Sequence, residues 1–106
     1  MANGNIHFPR ENTTELIAPT QSTTASATVN LSQFDFVVFV ASNDSGRAYG
    51  TTVIPASLIN SAAITSVYVY AGNTNYYVAF SLLPSAVQLT QSVGSIYGSV
   101  YGVKIR

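Results

Sequence analysis

The sequence predicts an all-β protein, an antiparallel β-sandwich of two sheets with at most one short helical turn. Apolar and polar residues alternate along several stretches, and these stretches are rich in aromatic and β-branched residues. The stretches recur every eight to twelve residues or so, with Gly, Asn, Ser and Pro between them, a spacing typical of sandwiches and barrels. A length of 106 residues fits one domain.

The predicted strands cover residues 25–31, 34–41, 48–54, 67–71, 76–82, 87–90 and 96–105. Residues 34–41 are almost continuously apolar, which predicts a central strand covered on both faces. Pro55 ends the third strand, since proline cannot donate to a ladder. Residues 56–63 follow this proline and are predicted to form a short helix or loop.

Residues 1–20 are predicted to be an N-terminal arm, and residues 21–106 the sandwich domain. The arm is polar and aperiodic, yet it holds apolar side chains such as Ile6 and Phe8. Such a segment suits docking into a groove of another protein, so we predict that these two residues anchor the chain. The first ten residues lack the apolar run of a signal peptide, which favours export by lysis or within a particle.

Charge is scarce in this chain, and that excludes several classes of partner. Only 8% of residues are charged, against about 25% in an average protein, and the net charge is zero. No basic patch is present for nucleic acid, and no apolar run or basic amphipathic segment is present for membrane insertion. Cysteine is absent, which excludes disulfides and most structural zinc sites. A surface rich in Ser, Thr and Asn in place of charges is typical of durable secreted, extracellular and virion proteins. The alternative is compositional drift in an ordinary small domain.

The residues needed for catalysis are few and isolated. His7 is the only histidine, and it lies in the predicted arm. The acidic side chains show no spacing that favours a catalytic pair, and no Gly-rich phosphate loop is present. We therefore expect no enzyme activity, no cofactor and no metal site.

Tyrosine is the residue type that points to a binding function. All seven tyrosines lie between residue 49 and residue 101. Each offers a large rigid ring and one polar tip, which suits interfaces and stacking on sugars. The predicted binding residues are Tyr68, Tyr70, Tyr76, Asn73 and Asn75. The alternative is that the tyrosines only fill the edge of the core.

The C-terminal segment resembles a known protein family. The run Tyr101-Gly102-Val103-Lys104 resembles the ending of receptor-binding or head domains of bacteriophage tail and minor structural proteins. Residues 31–39 and the strand end at residues 52–55 resemble two further strands of that family. The resemblance implies a jelly-roll-like sandwich, often trimeric, that acts in adhesion or particle decoration.

These observations lead to one expected function and one alternative. We expect a phage virion structural protein, a decoration or short-fibre head domain that acts in particle assembly or host-surface adhesion. Its expected partners are two further copies in a homotrimer, other virion proteins and a host-surface glycan. The alternative is a free-standing carbohydrate-binding module.

Overall fold

The computed structural model describes residues 12–43 and 49–105, which form a β-sandwich with little helix. The strands are β1 (Thr13–Thr20), β2 (Ser26–Thr28), β3 (Phe36–Ser42), β4 (Tyr49–Pro55), β5 (Ser66–Tyr70), β6 (Tyr77–Leu83), β7 (Ala86–Val93) and β8 (Tyr97–Val103). One helix, α1 (Ala56–Asn60), and one 3-10 turn (Leu31–Gln33) complete the described elements. The helix lies within the stretch predicted to be a short helix or loop.

The strands form two four-stranded sheets, and every pairing is antiparallel. Sheet A has the order β1-β8-β3-β4, and sheet B has the order β2-β7-β6-β5. The predicted fold class is therefore confirmed. The first strand pairs with the last and the second with the seventh, the nested pairing of a jelly roll. The remaining pairs join strands that follow each other in the sequence: β3 pairs with β4, β5 with β6, and β6 with β7.

The core lies between the two sheets, and strands β3 and β6 contribute its centre. Alternate residues of β3, namely Val37, Phe39 and Ala41, are fully buried. The rings of Phe39 and Phe80 meet across the two sheets with their centroids 5.2 Å apart. Period-two alternation therefore positions the core, because each strand turns one set of side chains towards the other sheet.

The structure differs from the prediction for β3 on the face of the strand that points away from sheet B. The near-continuous apolar run predicted that both faces would be covered. In the structure Phe36, Val38 and Val40 point away from sheet B and are only partly buried. The strand is central within sheet A, between β8 and β4, but within the described part of the chain only one of its faces is packed as core.

The sandwich begins earlier than the sequence predicted. Strand β1 lies inside the stretch expected to be an arm, and it pairs with β8 from Thr13 onward. Its register shifts between Glu15 and Ile17 and again between Ile17 and Thr20. These irregularities break the alternation that would have revealed a strand.

The predicted strand over residues 25–31 is also shorter than expected. The side chain of Asn30 accepts hydrogen bonds from the backbone nitrogen and the hydroxyl of Ser32, at 3.1 and 2.6 Å. This cap starts the 3-10 turn, whose first residue, Leu31, is fully buried. Local capping therefore ends the extended conformation, and β2 covers only Ser26–Thr28.

The outer strands of the two sheets, β4 and β5, approach each other closely at one point. A Cβ atom on Gly50 would lie 1.9 Å from the backbone carbonyl oxygen of Tyr70. Only glycine leaves room for this contact, because a side chain atom cannot approach a backbone oxygen so closely. The contact closes one side of the sandwich and fixes the end of β5, where the candidate site lies.

Candidate functional site

The hairpin turn between β5 and β6 brings the predicted binding residues together. The backbone nitrogen of Asn75 donates to the side-chain oxygen of Asn73 at 2.8 Å, an Asx turn. The backbone nitrogen of Ala71 donates to the carbonyl oxygen of Tyr76 at 2.8 Å. The side-chain oxygen of Asn73 is used within the turn, so its amide nitrogen, Nδ2, can donate a hydrogen bond to another group.

Three tyrosines form a cluster on the outer face of sheet B, at the end nearest this turn. The ring of Tyr77 lies between the other two, 5.5 Å from Tyr68 and 5.6 Å from Tyr70 by ring centroids. Tyr70 is the direct cross-strand partner of Tyr77, and Tyr68 is its diagonal neighbour. Tyr68 is 51% exposed and Tyr70 is 45% exposed. We call these three residues the tyrosine cluster.

A pocket of about 380 Å³ opens beside the cluster, at the end of the sandwich. Three separate parts of the chain line it: the residue after β3, the β5–β6 turn and the β7–β8 turn. Its lining residues are Asn43, Ala71, Gly72, Asn73, Tyr76, Gly94 and Ile96. Tyr70 and Tyr77 are the chain neighbours of the lining residues Ala71 and Tyr76, so the cluster lies close to the pocket.

The wall of the pocket depends on the backbone at Gly94. This glycine has φ of 84°, and a Cβ there would lie 2.1 Å from Cδ1 of the Tyr76 ring. Ser95 also has positive φ, and its carbonyl oxygen accepts a hydrogen bond from Nε2 of Gln21 at 3.0 Å. Two consecutive left-handed residues thus turn the chain out of sheet B and let the ring of Tyr76 pack on the turn.

The described lining of the pocket is uncharged and combines polar with apolar residues. No charged side chain is among the described residues that line the pocket. The lining includes the polar residues Asn43, Asn73 and Tyr76 and the apolar residues Ala71 and Ile96. Such a surface can bind a neutral ligand that has both hydroxyl groups and an apolar face.

The rest of the described chain holds no metal cluster and no membrane-spanning helix. Across residues 12–43 and 49–105, no group of three or more His, Asp or Glu side chains could hold a metal ion. No helix in the same ranges is long and apolar enough to cross a bilayer. His7, Ile6 and Phe8 lie outside the described residues.

The structure brings together four of the five predicted binding residues. Tyr76 and Asn73 line the pocket, while Tyr68 and Tyr70 belong to the adjacent cluster. Asn75 shapes the turn through its backbone and does not line the pocket.

Sequence reasoning missed Tyr77, Asn43 and Gly94 as parts of this surface. Tyr77 could have been found, because a hairpin centred on Asn73 and Thr74 places it opposite Tyr70. The other two come from distant turns, and nothing in the local sequence joins them to the hairpin.

Comparison with known proteins adds no family to this description. No protein-family model matches the chain, and no curated protein or solved structure matches it either. The resemblance to bacteriophage head domains therefore stays a prediction.

Proposed function

We propose that this chain is the head domain of a virion structural protein and that it attaches to neutral host-surface glycans through the tyrosine cluster and the adjacent pocket. The observation that carries the proposal is the cluster itself. Three rings lie within 5.6 Å of their neighbours on a solvent-facing sheet, and two of them are about half exposed. A lone exposed tyrosine is common on protein surfaces, whereas a grouped set is a candidate platform.

The cluster supports sugar binding for a physical reason. A pyranose ring has one face lined by C–H bonds, and this face packs on the electron-rich face of an aromatic ring. The rigid tyrosine side chain loses little entropy when it is covered, and its hydroxyl can still bond to a neighbouring sugar hydroxyl. Tyr77 packs between its neighbours and limits the rotation of both rings before any ligand arrives.

The pocket supports a neutral glycan over a charged one. Its lining offers amides and a hydroxyl but no Lys or Arg among the described residues. Anionic sugars and phosphates are usually bound by Arg, Lys or clustered backbone amides. A neutral sugar needs only a few well-placed hydrogen bonds and an apolar contact, and the pocket supplies both.

The virion assignment rests on composition and resemblance. The chain has 8% charged residues and a surface of hydroxyls and amides, and its C-terminal segment resembles phage head domains. Mass spectrometry of purified particles tests this part of the proposal directly. The chain should be present at a fixed ratio to the capsid protein after density-gradient purification.

A free-standing carbohydrate-binding module is the second candidate, because the same cluster would serve it. A glycan array probed with the labelled full-length chain tests the binding that both candidates share. Binding to a set of neutral glycans is expected, and an array without any bound glycan would overturn the glycan proposal. Absence from purified particles together with binding on the array would favour the module.

A further inference from the structure

Each sheet of the sandwich has two edge strands, and three of these four edges are protected against pairing with another chain. In sheet A, strand β1 contains Glu15, Pro19 and two register shifts. In sheet B, strand β2 is only three residues long, and the end of β5 packs on β4, where the carbonyl oxygen of Tyr70 meets Gly50. Charge, proline, bulges, short length and coverage by a neighbouring strand all discourage edge-to-edge pairing.

The fourth edge, that of β4, lacks these protections over most of its length. From Tyr49 to Val53 the strand has no charge and no proline, and it pairs with β3 without a register shift. Tyr49 is 68% exposed, Val53 is 55% exposed, and Thr51 between them is also exposed. A regular, uncharged and exposed edge of this kind is open to pairing with a further strand.

The backbone of β4 turns alternate residues towards this open edge. The backbone nitrogen of Ala56, just after β4, donates to the carbonyl oxygen of Asp35, just before β3, at 3.0 Å. Hydrogen-bonded and non-hydrogen-bonded pairs alternate along an antiparallel ladder, so Pro55 faces the open edge, which suits a residue without an N–H group. Counting back from it by twos, the residues whose N–H and C=O groups point outward are Val53, Thr51 and Tyr49. No strand of the described chain pairs with them on that side.

These three outward residues are complementary to themselves when two copies of the strand run antiparallel. With a two-fold axis at Thr51, that residue faces Thr51 of the second copy, and Tyr49 faces Val53 of the second copy. Each of these pairs can exchange two backbone hydrogen bonds. Thr–Thr pairs and pairs of an aromatic with a β-branched residue are favourable across antiparallel strands. No like charges meet, because β4 has no charged residue.

A register shifted towards Pro55 satisfies fewer groups. An axis at Val53 would place Thr51 opposite Pro55 of the second copy, and the missing N–H would remove a bond from that pair and from its symmetric equivalent. It would also leave Tyr49 beyond the end of the partner strand. The register centred on Thr51 is therefore the one in which all three outward residues find partners within β4 itself, and this points to a second copy as the occupant of the edge.

We infer that β4 pairs with β4 of a second copy of this chain, antiparallel and centred on Thr51. Contact between like edges is isologous, which gives a closed dimer. The two A sheets then form one continuous sheet with the order β1-β8-β3-β4-β4-β3-β8-β1. The inference goes beyond the glycan proposal and does not depend on it, because none of the paired residues belongs to the tyrosine cluster or lines the pocket.

Two measurements on the full-length chain test this inference. Sedimentation equilibrium between about 5 and 500 µM brackets micromolar dissociation constants, and a concentration-dependent monomer–dimer equilibrium is expected. Hydrogen exchange measured by NMR at low and high concentration locates the contact. The Thr51 amide should exchange more slowly as the dimer forms, because it gains an acceptor. The Ser66 amide should not change. Ser66 also turns outward on an edge, since the preceding residue, Thr65, is bonded to Leu82 of β6.

A proline substitution tests the same contact by removing its central N–H group. Thr51→Pro should raise the dimer dissociation constant about tenfold or more, because both copies lose a donor at the axis. The bonds between β3 and β4 should remain, as they do beside Pro55, since this N–H points away from β3. Ser66→Pro is the matched control, because it removes an outward N–H from the edge of β5 and should leave the dimer unchanged. Circular dichroism checks that both variants are folded.

Several outcomes would overturn the inference. A monomer throughout the concentration range would do so, and so would a trimer, the state expected from the phage resemblance, because pairing of like edges closes with two copies. A dimer whose Thr51 amide exchanges as fast as in the monomer has its contact elsewhere on the molecule. The same holds for a dimer that Thr51→Pro weakens no more than Ser66→Pro does. If Thr51→Pro does not fold, the exchange measurement on the unmodified chain decides.

Discussion

The ring of Phe39 lies 5.2 Å from the ring of Phe80, and this contact joins the centres of the two sheets. Both side chains are buried, at 0% and 1% exposure. The other phenylalanine of this strand, Phe36, points away from sheet B and is only partly buried. The two phenylalanines of β3 therefore contribute differently to stability, although they are three residues apart in one strand.

Replacing each phenylalanine in turn should show how much each face of β3 contributes to the free energy of unfolding. Phe39→Ala should destabilise the fold by about 3–5 kcal/mol, because it removes buried surface and leaves a cavity. Phe36→Ala should cost about 1–2 kcal/mol, since its ring is only partly buried and lies outside the core between the sheets. Urea denaturation at low micromolar concentration measures both values on the monomer. Equal costs would mean that a single chain covers both faces.

The close contact between β4 and β5 gives a second prediction. Gly50→Ala should destabilise the fold by about 1–3 kcal/mol, because the new methyl group would overlap the carbonyl oxygen of Tyr70. Thr51→Ala is the control at the next, exposed position, and it should change stability by about 0.5 kcal/mol or less. Thermal unfolding compares the two variants. A neutral Gly50→Ala would show that the two strands do not meet.

The carboxylate of Asp35 should hold the C-terminal end of β8 in place. Its Oδ2 accepts a hydrogen bond from the backbone nitrogen of Ile105 at 2.6 Å. Its own backbone nitrogen donates to Val103, and its carbonyl oxygen accepts from Ala56. The side chain thus fixes the chain that follows β8 to the start of β3.

Removing this carboxylate should loosen the terminus locally. Asp35→Ala should lower stability by about 1 kcal/mol and speed hydrogen exchange of the Ile105 amide. Asp35→Asn keeps an oxygen acceptor and should keep most of the protection. Exchange measured by NMR compares the three proteins, and an unchanged Ile105 rate in Asp35→Ala would contradict this role.

The sequence predicted the sandwich because its interior follows a simple period. Val37, Phe39 and Ala41 alternate with residues of the other face, and the same period recurs along β6. It did not predict β1, because two register shifts disturb the alternation around Ile17. These irregularities depend on pairing with β8, which lies at the other end of the chain.

Only those residues of the candidate site that lie close together in the sequence could be predicted. Tyr68 and Tyr70 were expected to be exposed, from their alternation with Val67 and Val69, and they are. The pocket was not predicted, because it joins Asn43 and Gly94 to the β5–β6 turn. Only the order of strands in the two sheets brings these turns to one end.

The tyrosine cluster accounts for binding only if the ring of Tyr70 contributes to affinity. The most direct measurement is a titration, by calorimetry or NMR, of the best neutral glycan from the array into the full-length chain, Tyr70→Ala and Leu83→Ala. Tyr70→Ala should weaken binding about tenfold or more, a loss of about 1.4 kcal/mol, because the stacking surface is removed. Leu83→Ala, on the same outer face at the far end of β6, should bind as the unmodified chain does. Equal affinity of all three proteins would contradict the assignment of the cluster as the glycan-binding surface.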